Sequence, residues 1–198
     1  STNELGPSDL DTRPPEMKRS TMFAWVRRCP KCGYCASNSG RARPRAQVIV
    51  SGKEYQDQLN DPAYPELAKS FLCRGILDRE SGDYAAAAWA FLCAAWDCDD
   101  AGQSEQAIAC RRKAVDMLAE AKRKGQQDAA GQDGTATAIL VDLLRRAGRR
   151  DEARNVIAER RSGISDDVVL RVLDFQAVLL ERGDVAAHTV AEALGEKA

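Results

Sequence analysis

The spacing of apolar residues changes near residue 61. Before that position, short apolar runs alternate with Pro, Ser, Gly and charged residues, which is typical of a loop-rich segment. After it, apolar residues recur at intervals of three and four, the spacing of an amphipathic helix. The pattern predicts a mainly α-helical protein, with a small N-terminal β/loop module at residues 1–55 and a helical domain at residues 56–198.

The helical part divides at residues that start or stop helices. Pro65 begins a helix that Gly82 ends, and Asp83 caps the next helix. The next predicted elements are a helix from Ser104 to about Gly125 and a polar linker at 126–134. They are followed by two helices that end at Gly148 and Gly163, a helix from Ser165 to Gly183, and a last helix at 185–194. Short connections between them predict antiparallel helical hairpins.

The N-terminal module contains two apolar runs that favour extended structure. Phe23-Ala24-Trp25-Val26 is predicted to form a strand, and Val48-Ile49-Val50 a second short extended or docking segment. Between them, residues 37–44 have the composition of a loop.

The first predicted hairpin alternates small and aromatic residues. Its members are Phe71, Gly75, Gly82, Asp83, Tyr84, Ala87, Phe91 and Ala94. Small residues let paired helices approach closely and aromatic rings fill the remaining gaps, so this spacing resembles the tetratricopeptide pattern. Arg74 and Asp78 depart from it, and the later hairpins match it only at their turn glycines and at Ala153. We describe the helices as tetratricopeptide-like.

A metal-binding motif lies in the N-terminal module. Cys29 and Cys32 flank a turn in the sequence Cys-Pro-Lys-Cys-Gly, a knuckle that points two thiolates at one ion. Gly33 permits the positive φ that lets backbone N–H groups face sulfur. The predicted metal ligands are therefore Cys29 and Cys32, with zinc as the expected ion and iron as an alternative. A redox dithiol is a second interpretation of Cys-x-x-Cys. Thioredoxin-like redox motifs lie in a βαβ unit, and the sequence around this motif predicts none.

Two thiolates do not close a structural zinc site, which usually has four protein ligands. Candidates for the others are Cys35, the single histidine His188, a helical cysteine or a second chain. Cys35 is expected to be a bystander because the knuckle directs the chain away from the ion there. His188 is expected to be a packed or surface residue.

Composition and charge narrow the class of protein. The formal net charge is -1, yet residues 1–53 carry ten Lys and Arg against four acids, so the N-terminal module is basic. No apolar run reaches the roughly 18 residues of a membrane span. The seven cysteines are an odd number placed mainly in helical patterns, which favours a reducing, cytoplasmic location over a disulfide framework.

Catalytic motifs are missing from the sequence, which predicts a protein that is not an enzyme. It contains neither a phosphate-binding loop nor a Gly-x-Ser-x-Gly or His-Glu-x-x-His pattern. The leading hypothesis is a protein-interaction scaffold with a metal-binding knuckle. The alternative is nucleic-acid binding by exposed cations with aromatic stacking, for which the candidate residues are Arg27, Arg28, Lys31, Arg41, Arg43, Arg45, Trp25 and Tyr34.

The N-terminal residues also resemble a known family. Residues 8–22, which begin Ser8-Asp9-Leu10-Asp11-Thr12-Arg13, are followed by Trp25-Val26 and by the knuckle at 29–34. This run is similar to a family of bacterial proteins of unknown function. The resemblance implies a zinc-ribbon-like N-terminus before tetratricopeptide-like helices, with no known reaction. Members carry a second knuckle upstream of the segment matching Ser1, so the site in this chain is expected to be incomplete. Apart from the resemblance, the assemblies considered are a zinc-bridged homodimer, in which a second chain supplies ligands, and a homodimer formed through the helices.

Overall fold

The computed structural model describes residues 6–37, 45–126 and 134–196. These residues form ten α-helices and one two-stranded antiparallel sheet, so the predicted mainly α fold with a small N-terminal β element is confirmed. The elements are α1 (Glu16–Arg19), β1 (Arg27–Arg28), β2 (Cys35–Ala36), α2 (Ala46–Ser51), α3 (Lys53–Asn60), α4 (Glu66–Glu80), α5 (Tyr84–Asp100), α6 (Ser104–Arg123), α7 (Thr135–Arg146), α8 (Arg150–Arg160), α9 (Asp167–Arg182) and α10 (Val190–Leu194).

The chain folds into two compact units that do not follow sequence order. One combines residues 1–20 with residues 128–198, and the other holds residues 21–127. The predicted boundary between residues 55 and 56 lies inside the second of these units. It also falls within α3, whose Tyr55 side chain is fully buried.

Helices α4, α5 and α6 form the core of the unit at residues 21–127. Positive-φ glycines, Gly82 and Gly102, make the two tight turns, and the Asp83 side chain accepts a hydrogen bond from the Ala86 N–H at the start of α5. Near the other end of α5, Asp97 accepts from the Ala68 N–H of α4 at 2.8 Å. The two helices are therefore antiparallel, as the short connection predicts.

The closest approach of α4 and α5 occurs at a glycine. A Cβ atom added to Gly75 would lie 2.3 Å from the Phe91 ring, so only the missing side chain allows the ring to sit there. Trp96, also on α5, is fully buried and meets the half-exposed Trp89 ring edge-on at 5.2 Å. This is the alternation of small and aromatic residues that the sequence contains.

The strand predicted at residues 23–26 is wrong, and so is the extended conformation predicted at residues 48–50. Residues Met22–Ala24 form a 3-10 helix that buries Met22 and leaves Phe23 70% exposed. Residues Ala46–Ser51 form α2, in which Ala46 and Val50 are buried and Val48 is exposed. The spacing of four between the buried residues fits a helix turn. Three consecutive β-branched residues, a type that favours strands, hide this helical spacing in the sequence. The predicted loop at 37–44 lies outside the described residues, apart from Ser37.

The other unit packs α7 against α8 and α9, and α9 against α10. Residues 8–10 run beside this group, where Asp9 bridges Thr189 and the Leu10 N–H donates to the His188 carbonyl. Asp11 is fully buried and pairs with Arg146 of α7 at 3.0 Å. The N-terminal segment is thus an integral part of this unit.

Two predicted helix ends in this unit need correction. Asp166, and not Ser165, caps α9, because its carboxylate accepts hydrogen bonds from the N–H groups of Val168 and Val169. The last helix begins only at Val190, after a capping box formed by Thr189 and Glu192. The predicted linker at 126–134 lies outside the described residues, apart from its two ends.

Candidate functional site

A short β-hairpin presents the two knuckle cysteines. Strand β1 pairs with β2 in the register Arg27 to Ala36 and Arg28 to Cys35. The turn is closed by hydrogen bonds from the Cys29 N–H to the Tyr34 carbonyl at 2.8 Å and from the Gly33 N–H to the Cys29 carbonyl at 2.9 Å.

The electrostatics of the turn favour a thiolate at Cys29. Backbone N–H groups of Cys32 and Lys31 point at its sulfur, and together with the Cys32 side chain and the Lys31 charge they lower the pKa of Cys29. Gly33 has φ 75°, the left-handed geometry predicted for this position. Cys29 is half-buried and Cys32 is exposed, so both thiols are accessible. The predicted ligand pair is thereby brought together at one exposed turn.

The hairpin is fastened to the helices through Gly33. Its carbonyl accepts hydrogen bonds from the Tyr55 hydroxyl at 2.8 Å and from the Cys35 thiol at 3.3 Å. The Tyr55 hydroxyl in turn accepts from the Cys35 N–H at 3.1 Å. Leu59 packs so closely on Gly33 that an added Cβ would lie 2.5 Å from its methyl group. The sequence pattern did not identify Tyr55 and Leu59 as contacts of the turn, since only their spacing in α3 indicates that they are buried.

Two other candidate ligands have surroundings of their own. Cys35 is buried beside Tyr55 and Cys73, a thiol that belongs to α4. His188 belongs to the other compact unit, where its ring nitrogens contact Asp184 at 3.0 Å and Glu192 at 3.1 Å. Within the described ranges, no group of three or more His, Cys, Asp and Glu residues is arranged to hold a metal ion.

Several predicted nucleic-acid-binding residues surround the knuckle. Arg27 and Lys31 are exposed, and Arg28 is exposed but pairs with Glu66 of α4 at 3.1 Å. Trp25 and Tyr34 are half-buried. Arg45 precedes α2 and is exposed, whereas Arg41 and Arg43 lie outside the described residues. The turn is therefore basic, with its rings only partly available for stacking.

Comparisons with known proteins add no family to this geometry. Neither the family models, nor the curated proteins, nor the solved structures contain a match to this chain. In the part of the chain that the structure describes, no helix is both long and apolar enough to cross a membrane.

Proposed function

We propose that this protein is an interaction scaffold whose Cys29–Cys32 knuckle binds zinc and joins the helical units to a further segment or molecule. The observation that carries the proposal is the exposed hairpin turn, in which backbone N–H groups already face the Cys29 sulfur. Zinc favours four ligands in a structural site, and the knuckle supplies two thiolates. The further ligands would come from a second copy of the chain or from another polypeptide segment.

The residues at the turn suit a zinc-thiolate centre. A zinc ion with four thiolates carries a net charge of about −2, and Arg27, Arg28 and Lys31 place positive charge around the knuckle. The anchor between Gly33 and Tyr55 holds the turn in place before any metal arrives. When bound, the ion would act as a structural cross-link.

Metal binding is tested by cobalt substitution and by elemental analysis of the purified chain. Wild type is expected to show thiolate-to-cobalt charge-transfer absorption, and Cys29→Ser and Cys32→Ser are expected to lose it. Lys31→Ala is the matched control, because it changes the same turn and leaves both thiols. Absorption that survives loss of both thiols would contradict the proposal.

Stoichiometry and oligomeric state identify the source of the further ligands. One zinc per two chains, with a dimer that EDTA dissociates, indicates a second copy. One zinc per monomer indicates ligands within the same chain. Binding only after another polypeptide is added indicates a heterologous partner.

The scaffold role rests on the exposed aromatic of α5. Trp89 is 47% exposed although its neighbour Trp96 is fully buried, so it presents apolar surface on a rigid core helix. Cross-linking in cells, followed by mass spectrometry, should capture a protein partner that Trp89→Ala loses. Val178→Ala removes an exposed apolar residue of the other unit and serves as the control. A capture unaffected by Trp89→Ala would exclude this surface.

Nucleic-acid binding remains the alternative because Arg27 and Lys31 are exposed beside the knuckle. Binding to mixed-sequence RNA or DNA should then weaken steeply with salt and fall further in an Arg27→Ala, Lys31→Ala double variant. Arg182→Ala, an exposed cation of α9, is the control. No retention at low salt would remove this alternative.

A further inference from the structure

Two buried cysteines meet beneath the hairpin without belonging to the knuckle turn. Cys35 lies on β2 and Cys73 on α4, and neither side chain has any exposed surface. Tyr55 contacts both of them, since its hydroxyl accepts from the Cys35 N–H at 3.1 Å and its carbonyl is 3.9 Å from the Cys73 sulfur. Strand β2 packs on α4, and each of the two thiols is the largest influence on the pKa of the other.

The environment makes the two sulfurs chemically different. The Cys73 thiol, which donates to the Tyr55 carbonyl at 3.9 Å, is the neighbour that most lowers the pKa of Cys35, to about 7 despite burial; the Tyr55 hydroxyl and the Arg28 charge add to this effect. The nearby Cys35 sulfur, with burial, raises the pKa of Cys73. The protonated Cys35 thiol donates to the Gly33 carbonyl at 3.3 Å. Once it loses its proton near neutral pH, Cys35 is the more nucleophilic of the two sulfurs and lies beside a protonated thiol at Cys73. This is the arrangement of a nucleophilic and a resolving cysteine.

We propose that Cys35 and Cys73 form a reversible disulfide on exposure to a hydroperoxide, and that this modification ties the knuckle hairpin to α4. The proposal concerns thiols other than the predicted metal ligands and stands independently of metal binding at Cys29 and Cys32.

The proposed reaction balances with hydrogen peroxide as oxidant. The Cys35 thiolate attacks one peroxide oxygen, the O–O bond breaks, and the leaving hydroxide takes a proton to become water. Cys73, having given up its proton, attacks the resulting sulfenic sulfur, the S–O bond breaks and a second water leaves. Two thiols and one peroxide thus give one disulfide and two waters, with two electrons passing from sulfur to oxygen.

Access to the sulfurs depends on local opening of the hairpin. Strands β1 and β2 have two residues each, and both residues of β1 are exposed. So short a hairpin opens more readily than the helices packed around α5. Oxidation is therefore expected to proceed under native conditions, at a rate set by this opening.

A second thiol pair offers an internal comparison. Cys98 of α5 and Cys110 of α6 are also fully buried, on two helices that pack together. There the Cys110 thiol, burial and nearby Asp97 and Asp99 raise the pKa of Cys98. This pair lies between two core helices, so it should stay reduced under conditions that link Cys35 to Cys73.

Peptide mapping after peroxide treatment tests the proposal on the full chain. Folded protein is treated near neutral pH, remaining thiols are alkylated in denaturant, and a non-reducing digest is analysed by mass spectrometry. We expect a Cys35–Cys73 cross-linked peptide that dithiothreitol removes, with Cys98 and Cys110 recovered as alkylated thiols. Pairing of Cys35 with Cys32, or oxidation of the knuckle thiols while Cys35 and Cys73 stay reduced, would overturn the proposal.

Variants separate the roles of the two sulfurs. Cys73→Ser should leave a Cys35 sulfenic acid that dimedone traps, because the resolving thiol is missing. Cys110→Ser removes a similarly buried thiol and should retain the Cys35–Cys73 cross-link. If Cys73→Ser does not fold, the wild-type peptide map decides the question by itself.

Discussion

Single residues set the closest contacts in this molecule. Gly75 leaves room for the Phe91 ring between α4 and α5. Gly33 allows the knuckle turn, and its carbonyl accepts hydrogen bonds from the Tyr55 hydroxyl and the Cys35 thiol. In each case a missing side chain or one polar atom determines how two elements meet. Substitutions at these positions should therefore have effects out of proportion to their size.

Gly75→Ala should destabilise the protein by about 1–3 kcal/mol through overpacking, although alanine favours helix by up to about 1 kcal/mol. The added Cβ would lie 2.3 Å from the Phe91 ring. Chemical denaturation measures the change. Gly163→Ala is the control, because an added Cβ there meets nothing within 4 Å. Equal stability of the two variants would contradict the close-contact argument.

The titration of Cys35 should appear in the pH dependence of stability. Its pKa is lowered to about 7 in the folded chain from an ordinary value of 9.0, so the unfolded state binds more protons between these values. The stabilisation is therefore present above pH 9 and is lost as pH falls through about 7. Above pH 9 the raised pKa of Cys73 has the opposite effect, since only the unfolded state then loses that proton.

The measurement is urea denaturation between pH 6 and 9, conditions that span the lowered pKa of Cys35. The free energy of unfolding of wild type minus that of Cys35→Ser should rise with pH from 7 to 9. Cys93→Ser is a buried-cysteine control on α5. A difference that does not change with pH would contradict the thiolate assignment.

At the scale of elements, the β-hairpin depends on α3. Two residue pairs form too small a sheet to be stable alone. The buried Tyr55 hydroxyl adds two hydrogen bonds to this small sheet: it donates to the Gly33 carbonyl and accepts from the Cys35 N–H. The knuckle is therefore a structure held by helix packing, which metal binding would reinforce.

Tyr55→Phe should leave the Cys35 N–H without its acceptor and the Gly33 carbonyl with only the Cys35 thiol as donor, and cost about 1–3 kcal/mol. Hydrogen exchange should accelerate in residues 27–36 before it changes in α5. Tyr64→Phe, at a half-buried tyrosine that precedes α4, is the matched control. Unchanged exchange in the hairpin would show that packing alone holds it.

At the scale of the whole molecule, the chain forms two compact units, and one of them joins both ends of the sequence. Residues 8–10 pair with residues 188–190 through backbone hydrogen bonds. Asp11 and Arg146 add an ion pair that is almost completely shielded from water. The charged run at residues 8–13 therefore has a structural role in this unit.

Asp11→Ala should destabilise the unit that contains α7 by about 3–5 kcal/mol, because it removes the carboxylate that pairs with the buried Arg146 at 3.0 Å. Thermal unfolding and hydrogen exchange in residues 134–196 measure the loss. Glu16→Ala, an exposed acid in the same N-terminal segment, should change stability little. Similar effects of both substitutions would argue against a special role for the buried pair.

The sequence by itself determined the helical class, most helix boundaries and the geometry of the knuckle. These features depend on local rules: apolar spacing in α4 to α9, the Asp83 cap, and a positive φ at Gly33. Each of these features depends on residues that are close together in the sequence, so it can be predicted without knowing the fold.

Only the tertiary structure decided which distant residues meet. Residues 48–50, predicted as an extended or docking segment, belong to the helix at Ala46–Ser51, because its buried residues lie four positions apart and pack on the helical body. The contacts of Cys35 with Tyr55 and Cys73, and of Asp11 with Arg146, join positions far apart in the chain. Such pairs arise from packing of complete elements, which no local pattern specifies.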